Sequence, residues 1–219
     1  MRKLPNALFC RQILERQILP PVLCGFLLKF LHRGRVFWVL VEVYGLGILI
    51  LGDSGVGKSE TALELIKHGH RLVADDVVDV HCVNGNTLVG AGANKIIGHH
   101  MEIRGLGIIN ITHLFGVGAI RDRKEIQLVV VLEEWDSTKS YDRLGSEEHT
   151  MEFLGVSIPR LEIPVKPGRN IPAIIETAAM NERLKSMGYN AAHEFNKNIL
   201  KWIESDSNRS VFFGHNDII

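Results

Sequence analysis

The chain is poor in the features that would place it in an outlying class of protein. Cysteine is scarce: Cys10, Cys24 and Cys82 are three in 219 residues, and no two stand at a pair spacing. That argues against a disulfide scaffold and a cysteine zinc site, and it fits a reducing, cytoplasmic setting. Charge of one sign is not in excess. Lys plus Arg number 25 and Asp plus Glu 25, a formal net charge of +0. Nothing therefore marks nucleic acid or an anionic membrane as a bulk electrostatic partner. The apolar run near Val22 to Leu31 is too short to span a bilayer. Arg11, Glu15 and Arg16 before it, Pro20-Pro21 beside it and Lys29 within it leave no unbroken core for a signal peptide. Internal repeats, low-complexity tracts and Ser/Pro/Gly linkers are missing. Of the ten histidines, His68/His70 and His99/His100 form pairs, but no carboxylate or cysteine completes a ligand set around either.

What is present is an ordinary globular composition, 46% hydrophobic and 23% charged, with room for one good-sized domain and a short appendage. Its sharpest feature is "GDSGVGKS", Gly52-Asp53-Ser54-Gly55-Val56-Gly57-Lys58-Ser59. This fits the phosphate-loop pattern G-x-x-x-x-G-K-[ST]. The context is right as well. "VFWVLVEVYGLGILIL" precedes it and reads as two strands turning at "YGLG". "SETALELIKHG" follows with Ala62, Leu63, Leu65 and Ile66 at helical spacing, and Gly69 is a plausible stop. Glycine-rich backbone turns its N–H groups onto phosphate oxygens, and the helix N-terminus adds partial positive charge. Lys58 would reach the β- and γ-phosphates, and the Ser59 hydroxyl would hold Mg²⁺.

Further along, "RLVADDVVDVHCV" is a strand candidate broken by two aspartates, and "NGN" at 84–86 is a hairpin signal. "GAGANKIIGHHMEIRGLGIINI" reads as a Gly-rich connection ending in an apolar segment. "EIQLVVVLEEW" is apolar enough for a central strand, and "LEIPVKPGRNIP" reads as an extended loop. Two closing helices follow, the second with Ala192, Phe195, Ile199, Leu200 and Ile203 on one face, and then a tail without period. Strands gathered early and helices late predict a mixed α+β domain around the phosphate loop, not a doubly wound sheet.

Phosphoryl transfer needs a cradle, a metal, a group for the acceptor's proton and positive charge for the transition state. Asp75 and Asp76 end an apolar strand, where alternation turns adjacent side chains to opposite faces. One would face the phosphates, as proton acceptor or Mg²⁺ ligand, and the other the frame; a plain strand-end pair is the alternative. Glu102 and Arg104 share one side of "MEIRGLGIIN", with Met101 and Ile103 on the other. They suit Mg²⁺ and phosphate, or else a surface ion pair. Arg143 in "YDRLG" and Lys166 and Arg169 in "PVKPGR" are loop cations suited to an anion.

The collinear stretches "LVEVYGLGILILGDSGVGKSETALELIKHGHRLVADD", "EIRGLGIINI", "YDRLG", "PVKPGRN" and "IIETAAMN" resemble bacterial HPr kinase/phosphorylase from about Val39 to Ile203. The resemblance implies an α+β P-loop kinase domain related in fold to phosphoenolpyruvate carboxykinase, assembled as a hexamer. It implies phosphorylation of a serine of the phosphocarrier HPr from ATP or pyrophosphate, and phosphorolysis in reverse, in the regulation of sugar uptake. By that likeness residues 52–59 hold the donor, and Ser59 and Glu102 bind Mg²⁺. Asp76 is base and acid in the two directions, with Asp75 beside it; Lys58 and Arg143 are catalytic cations. Lys166 and Arg169 serve mainly dephosphorylation. Residues 1–36 are then an unmatched leader, 37–204 the catalytic domain and 205–219 a tail. Where the family carries a histidine before its first strand, this chain has Phe37-Trp38. That leaves two alternatives: a nucleotide-binding regulator with impaired catalysis, and a P-loop kinase of small molecules.

Overall fold

Two short apolar strands organise the chain. In the computed structural model, which describes residues 38–92, 99–141 and 148–213 and side chains only to 203, β1 (Val39–Val43) pairs antiparallel with β2 (Leu46–Gly52). Every residue of both is buried, as their near-continuous apolar composition requires. Tyr44 and Gly45 join them with φ 48° and 84°, the pair of positive values a tight hairpin turn needs.

From β2 the chain crosses the glycine loop into α1 (Lys58–Lys67). It then returns as β3 (Arg71–Ala74), antiparallel to β1. The hairpin β4 (Val78–Val83) and β5 (Thr87–Gly92) turns at Asn84-Gly85, both with positive φ. β6 (His100–Ile103) and β7 (Gly107–Asn110) form a separate two-stranded ribbon. After α2 (Ile111–Phe115) come β8 (Arg123–Glu134), β9 (Thr150–Phe153), β10 (Val156–Val165), α3 (Ile171–Ser186) and α4 (Ala191–Phe213). The side chain of Asn170 caps α3 by accepting from the Ala173 N–H at 3.1 Å.

The main sheet runs β3-β1-β2-β8-β10-β9, and β5 adds to β8. β2, β8 and β10 are parallel to one another. Their C-terminal ends therefore form one rim, with Gly52 beside Leu132 and Glu134 beside Val165. One face packs Val41, Ile48, Ile50 and Val130 against Ala62 and Leu65 of α1 and Ile175 and Ala179 of α3. This is the mixed α+β domain that the sequence predicts. Among the described residues no helix is long and apolar enough to cross a membrane.

Four details differ from the sequence reading. "LEIPV" is the second half of β10 rather than loop. Its proline, Pro164, is tolerated because β9 pairs only with residues 156–159, which leaves an open edge at 164. The ribbon β6–β7 replaces the expected Gly-rich connection, and the hairpin β9–β10 turns at Leu154-Gly155. The last helix continues past 204 to Phe213; no glycine or proline interrupts it before Gly214, so backbone bonding carries on where the apolar period fades. Phe195, Ile199 and Leu200 of that helix stay exposed.

Leu65 is fully buried between α1 and the sheet. Leu65→Ala is expected to cost about 2–5 kcal/mol in urea unfolding, whereas Leu200→Ala should stay within about 0.5 kcal/mol. Equal losses would contradict this placement of the core.

Candidate active site

The site grows out of the end of β2. A Cβ at Gly52 would lie 2.5 Å from the Leu132 carbonyl oxygen, so only glycine lets the loop leave the sheet this close to β8. Gly55 has φ +91°, and a Cβ there would meet the Arg104 guanidinium at 2.7 Å. Lys58, at the first turn of α1, is 6% exposed. Its ammonium donates to the carbonyls of Gly52 at 2.9 Å and Asp53 at 2.8 Å. Burial lowers its pKa, and Arg104 adds to this; the carboxylates of Asp53, Asp75 and Asp76 oppose it.

Ser59 follows, and its hydroxyl donates to Asp75 Oδ1 at 3.2 Å. Asp75 Oδ2 is buried without a hydrogen-bond partner of normal geometry. Burial, and then the charge of Asp76, push the Asp75 carboxyl up to about 7 against the pull of the Ser59 hydroxyl and the backbone of Glu102 and Asp76. β3 ends at Ala74, so strand alternation does not decide how the pair divides. Asp76 instead sits at φ 69° in a three-residue turn closed by Val77 N–H to Asp75 O at 2.9 Å. Such a turn is strained and recurs at functional sites. The Asp76 carbonyl also accepts from the Trp38 N–H at 3.3 Å, which ties the turn to the start of β1.

The ribbon brings the second set of groups. Met101 and Ile103 are buried, and Glu102 and Arg104 point the other way, as alternation predicts. Arg104 does not pair with Glu102. Its guanidinium donates to Ser54 Oγ at 3.1 Å and lies across the phosphate loop. Lys58, Ser59, Asp75, Asp76, Glu102 and Arg104 thus form one cluster. Lys166 and Arg169 leave the sheet two strands away on the same rim. Lys166 Nζ stands 5.4 Å over the Trp135 ring, and Arg169 donates to the Pro164 carbonyl at 3.3 Å. Arg143 and Phe37 lie outside the described residues.

Mg²⁺ fits the donor set. The Ser59 hydroxyl and the orphaned buried oxygen of Asp75 are hard oxygen ligands, and the backbone of Glu102, a third residue with such a ligand, lies beside Asp75. Among the described residues no three His, Cys, Asp or Glu side chains converge into a metal cage. Mg²⁺ does not require one, since it is commonly held by one or two carboxylates plus substrate phosphates. Two contacts escaped the sequence reading: Asp75 on Ser59, and Arg104 on Ser54. Both join residues far apart in the chain, and no local spacing encodes them.

The family model of the HPr serine kinase C-terminal domain matches residues 29–199. The chain is 68% identical over 179 residues to an HPr kinase/phosphorylase of Treponema pallidum (strain Nichols), covering 82% of this chain and 56% of that protein. It is 52% identical over 198 residues to an HPr kinase/phosphorylase of Leptospira biflexa serovar Patoc (strain Patoc 1 / Ames), covering 90% and 58%. The solved structure of the Hpr(Ser) kinase/phosphatase from Coxiella burnetii aligns with TM-score 0.65 at 36% identity, over 73% of this chain and 96% of that one. The chain thus spans little more than half the length of the curated relatives it matches.

The raised pKa of Asp75 sets a pH dependence. Its ordinary value is 3.8 and its value here about 7, so between these limits the folded state binds more protons than the unfolded one. The buried carboxyl therefore destabilises progressively as pH rises through that window, fully above it and not below it. Asp75→Asn, which keeps an acceptor for Ser59, is expected to stabilise the metal-free protein at pH 8 and to lose that gain toward pH 4 in urea unfolding. An equal difference at both pH values would contradict the assignment.

Proposed function

The chain belongs to the HPr serine kinase C-terminal domain family, and on that premise we propose that it transfers the γ-phosphoryl group of ATP to a serine hydroxyl of HPr. We also propose the reverse reaction with inorganic phosphate, and pyrophosphate as an alternative donor. The observation that carries the reading is the contact of Ser59 with Asp75 beside the buried Lys58, at the mouth of a complete phosphate loop.

The serine oxygen attacks the γ-phosphorus while the bond to the β,γ-bridging oxygen breaks, and its electron pair leaves with ADP. Asp76 takes the serine proton. Its position in the turn after β3 sets it next to Asp75 and within the field of Lys58. Lys58 and the loop N–H groups neutralise charge on the transferring group. Bound through Ser59, Glu102 and the substrate phosphates, Mg²⁺ would supply Lewis-acid charge there. Asp75, which accepts from the Ser59 hydroxyl, would orient it. Arg104, lying across the loop, adds a cation over the phosphates.

In reverse, an oxygen of inorganic phosphate attacks the phosphoserine phosphorus. The serine C–O–P bond breaks at phosphorus, Asp76 returns the proton to the leaving serine oxygen, and pyrophosphate departs. Two anions must approach each other in this direction, and Lys166 and Arg169 on the rim would offset their repulsion. Arg143 would join them as a further cation. The exposed apolar residues Phe195, Ile199 and Leu200 of α4 are consistent with assembly into the expected oligomer. The Phe37-Trp38 pair favours a second reading, a protein that binds nucleotide but transfers little. A phenylalanine ring cannot exchange protons or bond phosphate.

The test is incubation with purified HPr, γ-labelled ATP and Mg²⁺. Label is expected on wild-type HPr, on none of an HPr variant lacking the acceptor serine, and on neither when Lys58→Ala replaces the parent enzyme. ATP binding by the parent without label transfer would favour the second reading; transfer by Lys58→Ala would remove the phosphate cradle from the account.

A further inference from the structure

The rim beside the phosphate loop carries an aromatic platform that the phosphate chemistry does not use. Trp135 follows β8 directly, and its N–H donates to the Val165 carbonyl at 3.1 Å, which sets it at the shared end of the parallel strands. Leu132 lies beside Gly52. Trp135 is three residues farther along, about 10 Å at strand rise. Its ring stacks on Tyr141 with centroids 5.0 Å apart and 29° between planes. With Tyr141 and Lys166 both in place, 46% of Trp135 remains exposed. Clefts at the carboxyl ends of parallel strands are where α/β sheets take ligands.

The platform is braced. Tyr141 OH accepts from the Asp136 N–H at 3.1 Å, and the Asp136 carboxylate accepts from the Thr138 N–H at 2.8 Å and hydroxyl at 2.7 Å. Lys139 is held by Glu133 at 2.8 Å and Glu162 at 2.6 Å. The rings are therefore positioned before any ligand arrives, which lowers the ordering cost of binding. We propose that Trp135, backed by Tyr141, is the stacking surface for the base of the nucleotide whose phosphates occupy residues 52–59. A donor seated by its β- and γ-phosphates in the loop has an α-phosphate and a ribose to bridge toward the rim. Stacking on a π-face does not distinguish one base from another, so the platform adds affinity for nucleotides as a class. Lys166 Nζ stands 5.4 Å over the same ring, and its flexible stem would swing aside to give the base the face that Tyr141 does not cover.

This inference rests on the proposed use of the loop for a phosphate donor, and pyrophosphate separates the two, because it has phosphates but no base. Calorimetry of Mg²⁺–ATP, Mg²⁺–GTP and Mg²⁺–pyrophosphate is done on the full chain, on Trp135→Ala and on Trp135→Phe. Stacking is worth about 1–3 kcal/mol per base, so Trp135→Ala is expected to weaken ATP and GTP by about 5- to 150-fold. Pyrophosphate should stay within about twofold, and Trp135→Phe should recover most of the nucleotide affinity. Unchanged ATP affinity in Trp135→Ala overturns the proposal. An equal loss for pyrophosphate overturns it too, since the ring would then only shape the loop. Failure of the parent to bind any of the three also defeats it. If the parent binds all three as expected but labels no HPr, the kinase reading fails while the base site stands.

Discussion

The buried ammonium of Lys58 is the constraint on which the site depends. A lysine at 6% exposure must have its charge met, and here it is met twice over. Two carbonyls of its own loop accept its protons, and the carboxylates of Asp53, Asp75 and Asp76 surround it at longer range. The first arrangement ties the end of the loop back to its start. The second forces acidic groups together, and that crowding is relieved on one of them. Burial and the charge of Asp76 push the Asp75 carboxyl up to about 7, so that near neutrality Lys58 and Asp76 share their field with less than a second full charge. A polyanion and its cation would enter a site already balanced between these groups.

The sheet explains why so much of the chain converges at one rim. β2, β8 and β10 run parallel, so the phosphate loop, the segment beginning at Trp135 and the turn 166–169 all leave in the same direction. α1 and α3 cover the face behind them. His68 and His70, at the far end of α1, share one oxygen of Glu176 on α3 at 2.9 and 3.0 Å. That contact fastens the helix of the phosphate loop to the closing helix. It also accounts for two of the histidines that the sequence alone left without a purpose.

Local signals made the central part of the fold legible. The loop, its flanking strand and helix, and the turns at Tyr44-Gly45 and Asn84-Gly85 all announce themselves over a few residues. Met101 and Ile103 against Glu102 and Arg104 follow from alternation alone. Other features depend on what lies beside them in space. Pro164 reads as loop until β10 is seen to have an open edge there. The Asp75–Asp76 pair reads as strand until the turn at Asp76 is seen. The contacts Ser59–Asp75 and Arg104–Ser54 span 16 and 50 residues, and only the folded sheet brings those partners together.

The central claim is a division of labour between adjacent carboxylates: Asp76 moves the proton of the acceptor serine, and Asp75 holds Ser59. The most direct measurement compares Asp76→Asn with Asp75→Asn in both directions of transfer, with ATP affinity measured alongside by calorimetry. The account predicts that Asp76→Asn lowers both rates by about 10²–10⁴-fold at nearly unchanged ATP affinity, while Asp75→Asn keeps the larger share of transfer and shifts its Mg²⁺ requirement. An active Asp76→Asn beside an inactive Asp75→Asn would contradict it.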